Sequence, residues 1–149
     1  MTRRHGRIVV AVALSLPTLV VPALAQDAAV MRDLEAKSPK VLSKADLEQL
    51  LPGAKMSRVT AGGNAHFWSN DSGGSFIISS DNRDRGGPSS TAPGTWHISD
   101  DGRYCVLLNW KKVATEEWCR YIVQTSDGYY ATKSDKTGTE KVYKLEIKK

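Results

Sequence analysis

Short runs of β-forming residues, separated by turn residues, constrain the fold of this chain more than any other feature. Tight turns end in Asp101-Gly102 and Asp127-Gly128, and a longer turn with two glycines lies at residues 70–74. An Asp-Gly pair between two β-rich runs is a strong hairpin signal, because glycine adopts the positive φ angles that such turns require. The pattern predicts an antiparallel meander, in which strands that follow one another along the chain pair with one another.

About eight such runs are present. They span residues 56–60, 65–69, 75–80, 95–99, 103–110, 118–125, 129–134 and 141–147. Eight meandering strands can close into a lipocalin-like up-and-down barrel, and closure removes the exposed sheet edges. A strongly bent sheet is the alternative. We therefore predict a mainly β fold with one of these two architectures.

One short N-terminal helix is predicted before the first strand. Ser43 has the character of an N-cap, Asp46 occupies the third helical position, where a carboxylate is favourable, and Pro52 ends the helix. Three leucines share one face of this helix: Leu47, Leu50 and Leu51. We expect that face to pack on the sheet.

The first 25 residues have the organisation of a cleavable secretion signal. Three arginines precede an apolar segment. The small residues that follow this segment match the cleavage site that signal peptidase recognises. The apolar run is interrupted by prolines and is much shorter than the roughly 20 residues of a membrane span. We predict cleavage after Ala25, which leaves a polar lead-in at residues 26–42, a single β-rich domain at residues 43–149 and no transmembrane segment.

Removing the signal changes the charge of the chain. The whole sequence has 21 basic and 16 acidic residues, a formal charge of +5, but three of the basic residues lie in the signal. The mature part then has 18 basic and 16 acidic residues, and its net charge is +2. The lysines near the C-terminus alternate with acidic residues, as on a solvated strand face. The charge therefore does not indicate a nucleic-acid partner.

The mature chain has two cysteines, Cys105 and Cys119. An even number of cysteines in an exported domain favours a disulfide. A metal site would need further ligands at short spacing, and a catalytic thiol would have to stay reduced outside the cytoplasm. A disulfide would place the strand at 103–110 beside the strand at 118–125, with apolar residues on both faces. We expect one face of this strand pair to line the barrel interior and the other face to be covered by the helix.

Several of these motifs also occur together in a known family. They are Gly-Thr-Trp at 94–96, Asp-Gly-Arg-Tyr-Cys at 101–105, Trp-Cys at 118–119, Asp-Gly-Tyr at 127–129 and, upstream, Leu-Leu-Pro-Gly at 50–53. The chain resembles a set of small exported bacterial proteins catalogued as domain of unknown function 995. The resemblance implies a periplasmic or secreted protein of a Gram-negative bacterium. It supplies no catalytic residue.

The sequence contains no recognisable catalytic constellation. The mature chain has only two histidines, His66 and His97, and both are interpreted as facing outward on strands. Glu116 and Glu117 are adjacent, so on a strand they point to opposite faces and do not form a glycosidase pair. We predict no catalytic residues, no metal site and no cofactor.

Residues 81–93 form the longest irregular stretch after the helix, and long loops on rigid β scaffolds often carry recognition. In this loop Arg83 and Arg85 are candidates for binding a carboxylate, a phosphate or an acidic sugar. The alternative is a polar loop in which Asp81 and Asp84 neutralise the two arginines.

Aromatic residues are a second class of candidate ligand-binding residues. Trp68 lies next to the glycine-containing turn at 70–74, and we predict it to be exposed and available to a ligand. The other three tryptophans, Trp96, Trp110 and Trp118, are interpreted as core residues.

Together these features predict a monomeric, exported, non-enzymatic β domain. Its partner is a small ligand or an envelope component, bound by the barrel mouth and the 81–93 loop. The alternative is a protein-binding module, such as an inhibitor, an immunity protein or an assembly factor that binds an envelope protein. An envelope hydrolase is a third hypothesis of lower weight.

Overall fold

The computed structural model describes residues 29–111 and 113–149, so the predicted signal with its cleavage after Ala25 lies outside the described residues. The helices are two 3₁₀ segments, Met31–Lys37 and Arg83–Arg85, and α1 (Lys44–Leu50). The strands are β1 (Lys40–Val41), β2 (Lys55–Val59), β3 (Ala65–Ser69), β4 (Ser75–Ser80), β5 (Ser90–Ile98), β6 (Tyr104–Leu108), β7 (Glu116–Thr125), β8 (Gly128–Thr132) and β9 (Val142–Lys148). None of the described helices is long and apolar enough to cross a membrane.

Strands β2 to β9 form a closed antiparallel barrel. Each strand pairs with the next along the chain, and β9 pairs back to β2, where Met56 lies opposite Ile147. The predicted eight-stranded up-and-down barrel is therefore confirmed, and the bent-sheet alternative is wrong. Closure gives every barrel strand a neighbour on each side, which reduces the edges that could pair with another chain.

The bounds of most strands differ from the predicted ones by one or two residues, and two differences are larger. β5 begins at Ser90, so the irregular segment after β4 is shorter than the predicted 81–93 loop. Pro93 lies within the strand opposite Ile77, and its carbonyl oxygen accepts the N–H of Asn109. Proline donates no hydrogen bond, but its carbonyl can still join the ladder, which the sequence pattern did not indicate. The two-residue strand β1 was not predicted and adds to β7.

Alternating side chains fill the interior of the barrel with one apolar cluster. It includes Met56, Trp68, Phe76, Ile78, Ala92, Trp96, Tyr104, Val106, Leu108, Ile122, Ala131 and Leu145. The leucines of α1 belong to this same cluster, and Leu47 and Leu51 are fully buried. The expectation that the helix covers the second, outer face of the sheet is therefore wrong, because α1 packs into the interior cluster instead.

A second apolar cluster lies outside the barrel. Val123 and Tyr130 point outward from β7 and β8, and Leu34 of the first 3₁₀ segment packs against them. Lys37 of the same segment lies 2.8 Å from Asp127. The lead-in thus covers the outer face of the sheet, which α1 was expected to cover.

Candidate functional site

The two ends of the barrel differ. The turns at 70–74 and 99–103 lie at one end, where α1 begins with a capping box: Ser43 Oγ accepts the N–H of Asp46, and Asp46 accepts the N–H of Ser43. Gly102 lies close to the backbone of Lys44 there, and Lys44 Nζ lies 3.0 Å from Asp100 Oδ1, which links the turn to the helix. We call this the closed end. The opposite end, with the connections β2–β3, β4–β5, β6–β7 and β8–β9, is called the open end.

The closed end contains a buried chain of hydrogen bonds. The indole N–H of Trp68 donates to the hydroxyl of Tyr104 over 3.1 Å, and this hydroxyl donates to Asn70 Oδ1 over 2.8 Å. The side-chain amide of Asn70 donates to the carbonyl of Leu51 at the end of α1. Burial raises the pKa of Tyr104 well above its ordinary value, so it stays protonated and can donate. The polar side chains of this hydrogen-bond network are therefore hydrogen-bonded within the protein.

The open end contains a cavity of about 280 Å³. It lies where the strands diverge: the first half of β7 pairs with β6, whereas its pairing with β8 begins only at Tyr121. On the other side of the gap, the pairing of β2 with β9 stops at Ser57. Divergence of the strands leaves space between β2, β7 and β9 that the interior side chains do not fill.

Charged side chains surround this cavity. Arg58 Nη2 lies 3.0 Å from Glu116 Oε1, and the two side chains point inward from β2 and β7. The Arg58 guanidinium carbon lies 5.2 Å from the centre of the Trp118 ring, and that of Arg120 lies 5.8 Å from it. Two guanidinium groups therefore lie within cation–π distance of one indole.

Arg120 differs from Arg58 in having no acidic partner. Its Nη1 donates to the carbonyl oxygen of Cys119 over 2.8 Å, and it takes part in no ion pair among residues 29–111 and 113–149. Burial lowers the pKa of Arg120 from its ordinary value. A guanidinium nevertheless remains charged at neutral pH, so a half-buried positive charge faces the cavity without a counter-ion.

Unsatisfied polar atoms are concentrated at the same place. Within the described part of the chain, five buried side-chain nitrogen or oxygen atoms lack a hydrogen-bond partner, and three of them belong to residues that line the cavity. These three are Arg58 Nε, His66 Nδ1 and Trp118 Nε1. The other two atoms, Asp81 Oδ2 and Arg103 Nε, lie 2.6 and 2.8 Å from an atom of opposite charge. Only the open end therefore leaves buried polar atoms with neither a hydrogen bond nor an ion pair in the residues described.

His66 was expected to face outward, and this expectation is wrong. It is only 7% exposed and points into the barrel, with its ring 5.8 Å from that of Trp110. Burial, and next the positive charge of Arg58, lower the pKa of His66. The imidazole is therefore neutral at pH 7, when it can donate one hydrogen bond and accept another. His97, by contrast, is exposed as expected.

The residues that were predicted from the sequence to bind a ligand do not line this cavity. Trp68 was expected to be exposed but is 5% exposed, because the inward pattern of β3 overrides its closeness to a turn. Arg83 and Arg85 are exposed and do not line the cavity; Arg83 lies 2.6 Å from Asp81 and Arg85 3.8 Å from Asp84. The loop has the neutralised arrangement that the sequence analysis gave as the alternative.

The cysteines lie as predicted. Cys105 and Cys119 face one another across β6 and β7, and their sulfur atoms are 2.03 Å apart, the distance of a disulfide bond. The pair joins β6 to the half of β7 that lines the cavity. No group of three or more His, Cys, Asp or Glu side chains suited to a metal occurs in the described residues. That the protein uses no metal or cofactor stays a prediction.

Sequence reasoning did not find the residues of the open end as a site. The available signal was the two-residue period of the strands: Arg58 follows Met56 by two positions, and Arg120 precedes Ile122 by two. A charged residue on the inward face of a strand is unusual and marks a functional candidate. The signal becomes clear only when the barrel brings β2 and β7 together.

A second concave surface lies on the outside of the barrel. It is an open groove of about 530 Å³ whose lining includes Phe67 and Ile77, which are 52% and 61% exposed. Two of its three charged residues are paired, since Lys148 lies 3.4 Å from Glu146, whereas Lys55 has no ion pair in the described residues. The groove combines these exposed apolar side chains with serine and charged residues, and among the described residues it has no buried polar side-chain atom without a partner.

Comparison with curated proteins and with solved structures gave no match. The model of a family described as "Protein of unknown function (DUF995)" matches residues 18–139. The matched segment contains both cysteines and five of the polar or aromatic residues that line the cavity: Arg58, His66, Glu116, Trp118 and Arg120. The match covers well over half of the chain, so the protein belongs to this DUF995 family.

Proposed function

We propose that the protein is an exported, non-enzymatic barrel that binds a small ligand in the cavity at the open end. The observation that carries this proposal is the group of three buried polar atoms without partners around a cavity of about 280 Å³. A buried polar group without a partner costs about 1–3 kcal/mol. A bound ligand would supply the missing hydrogen bonds and so account for these groups.

The size of the cavity limits the ligand. Pockets for drug-sized molecules begin at roughly 300 Å³, so a cavity of about 280 Å³ suits a smaller molecule. Ala131 and Leu145 add apolar surface beside the polar groups. This combination favours a small amphipathic compound over a sugar with hydroxyl groups on every side.

Nuclear magnetic resonance (NMR) titration of the ¹⁵N-labelled mature protein with neutral fragments, for example indole and 1-hexanol, tests the site. We expect shifts at Trp118, Ala131 and Leu145. Ala61→Trp should weaken binding because Ala61 lines the rim, whereas Ala114→Trp, on a neighbouring exposed loop outside the lining, should not. Absence of shifts at the open end with every fragment would contradict the proposed site.

Export is supported by the predicted signal and by the cysteine pair at disulfide distance, since disulfides persist in oxidising compartments. The test is expression of the full chain in a Gram-negative host, followed by mass spectrometry of the periplasmic fraction. We expect a chain that begins at Gln26 and a mass that alkylation without reductant leaves unchanged. Retention of the first 25 residues, or two alkylated cysteines, would contradict the proposal.

The second candidate function is protein binding, and the exposed Phe67 and Ile77 favour it. An inhibitor, an immunity protein or an assembly factor would use this outer groove. The double variant Phe67→Ser/Ile77→Ser should then lose a cross-linked envelope partner that the Ala61→Trp variant keeps. Turnover of an envelope polymer by the purified domain would instead favour the third hypothesis, a hydrolase.

A further inference from the structure

We propose that the ligand of the open end is a small amphipathic carboxylate, whose charged group binds Arg120 and whose apolar part packs on Ala131 and Leu145. This inference rests on the proposed function and adds the chemical class of the ligand. It depends on three features of the cavity: its charge, the chemical type of the unsatisfied groups in its lining and the position of its apolar surface.

The charge of the cavity is unbalanced. Its lining contains three basic side chains, Arg58, Arg120 and Lys144, and one acidic side chain, Glu116. Glu116 is held by Arg58 at 3.0 Å, and neither Arg120 nor Lys144 has an ion-pair partner in the part of the chain that the structure describes. A half-buried positive charge is costly unless an anion accompanies it. The missing partner is therefore negative.

The unsatisfied groups also suit an anion. Trp118 Nε1 is a donor only, and the Nε of Arg58 is a donor only. His66, which is buried and neutral, can present its own N–H through the appropriate tautomer. Together with the guanidinium of Arg120, these groups supply several donors, and the only possible acceptor among the buried partnerless side-chain atoms of the described lining is His66 Nδ1. A cation or an amine would find no partner of opposite charge other than Glu116, which is already paired.

A carboxylate fits this set better than a phosphate. The guanidinium of Arg120 uses one N–H for the carbonyl of Cys119, and its remaining N–H groups can bind one carboxylate through two parallel hydrogen bonds. A phosphate dianion would bring a second negative charge close to Glu116, which lines the same cavity. Ala131 and Leu145 are both buried and lie beside the charged groups, so they offer apolar surface to a short hydrocarbon chain or ring.

The test uses four probes with one carbon chain: hexanoate, hexanamide, hexylammonium and hexyl phosphate. Each is titrated into the mature protein, and the indole N–H resonance of Trp118 reports occupancy of the site by NMR. We expect hexanoate to bind at least about tenfold more tightly than the other three, since a hydrogen-bonded charge pair contributes that much. Arg120→Gln should weaken hexanoate binding about tenfold or more, and Arg120→Lys, which keeps the charge, should recover part of the loss.

Two further variants separate binding from folding. Arg85→Gln is the matched control, because Arg85 is an exposed arginine that does not line the cavity, and binding should not change. Glu116→Gln removes the one negative charge and releases Arg58, so it should bind hexanoate more tightly than the wild type. A variant that simply failed to fold could not produce that gain.

The outcomes distinguish this inference from the proposed function. Equal binding of hexanamide at Trp118 would overturn the carboxylate assignment and leave small-ligand binding in place. Preference for hexyl phosphate or hexylammonium would also overturn it. If Trp118 responds to the neutral fragments but not to hexanoate, the carboxylate assignment is also overturned. If Trp118 responds to no probe, both proposals are overturned.

Discussion

The closed end and the open end of this barrel use similar residues in opposite ways. At the closed end, Trp68 donates to Tyr104, which donates to Asn70, and α1 covers the cluster. At the open end, the indole N–H of Trp118 is buried without a partner beside a cavity. The difference indicates that one end serves stability, whereas the other keeps unsatisfied donors that stability alone would not retain.

The largest effect should come from removing the helix contact at the closed end. Leu47 is fully buried, so Leu47→Ala should lower the free energy of unfolding by about 2–5 kcal/mol, through lost burial and a residual cavity. Urea unfolding measures the change. Glu48→Ala, an exposed site on the same helix, is the control. A loss of less than about 1 kcal/mol would show that α1 is not part of the folding core.

The next effect concerns the disulfide, which joins β6 to the half of β7 at the open end. The cysteines are 14 residues apart, and closing a loop of this length stabilises a protein by about 3 kcal/mol. Cys105→Ser/Cys119→Ser should lower stability by that amount. Hydrogen exchange should increase more at residues 116–120 than at Trp68, which lies on β3 away from the disulfide. Equal increases at both ends would argue that the ends are not separate units of stability.

A smaller effect should distinguish the two tryptophans directly. Trp68→Phe breaks a buried hydrogen bond to Tyr104, whereas Trp118→Phe removes an N–H that has no partner. We expect Trp68→Phe to cost about 1–3 kcal/mol more than Trp118→Phe in thermal and urea unfolding. Tyr104→Phe controls for ring volume, because it removes the hydrogen bond from Trp68, together with the one to Asn70, with little change of shape. Equal costs for the two tryptophan variants would remove the distinction between the ends.

The smallest expected effect is a dependence of stability on pH, which is caused by a histidine at the open end. The pKa of His66 in the folded protein lies below its ordinary value, so the unfolded chain takes up a proton first as the pH falls. Stability should therefore decrease from pH 7 downwards through about 6.5, the ordinary histidine pKa. The charged groups facing His66 are Arg58, Glu116, Asp81 and Asp84.

The matched variants for this prediction are His66→Gln and His97→Gln. The first should flatten the dependence of unfolding free energy on pH between 7 and 5, and the second, at an exposed site, should retain it. A slope that His66→Gln leaves unchanged would assign the dependence to another group.

The bounds of most strands followed from local chemistry. Asp127-Gly128 and the turn at 99–102 were recognisable because their conformations require glycine, and the alternation of apolar residues identified the strands between them. β5 was longer than predicted because Pro93 contributes through its carbonyl oxygen, which no pattern of side chains reveals.

What the sequence determined by itself was the meander, the cap of α1 and the pairing of two cysteines, since each depends on residues close together or on two neighbouring strands. It also determined that Arg58, Trp118 and Arg120 occupy inward positions. Only the tertiary structure decided that these residues meet at one cavity, that Trp68 is buried and that the helix closes the opposite end. The reason is that closing the barrel brings β9 back to β2 and sets the spacing of strands that are distant in the chain.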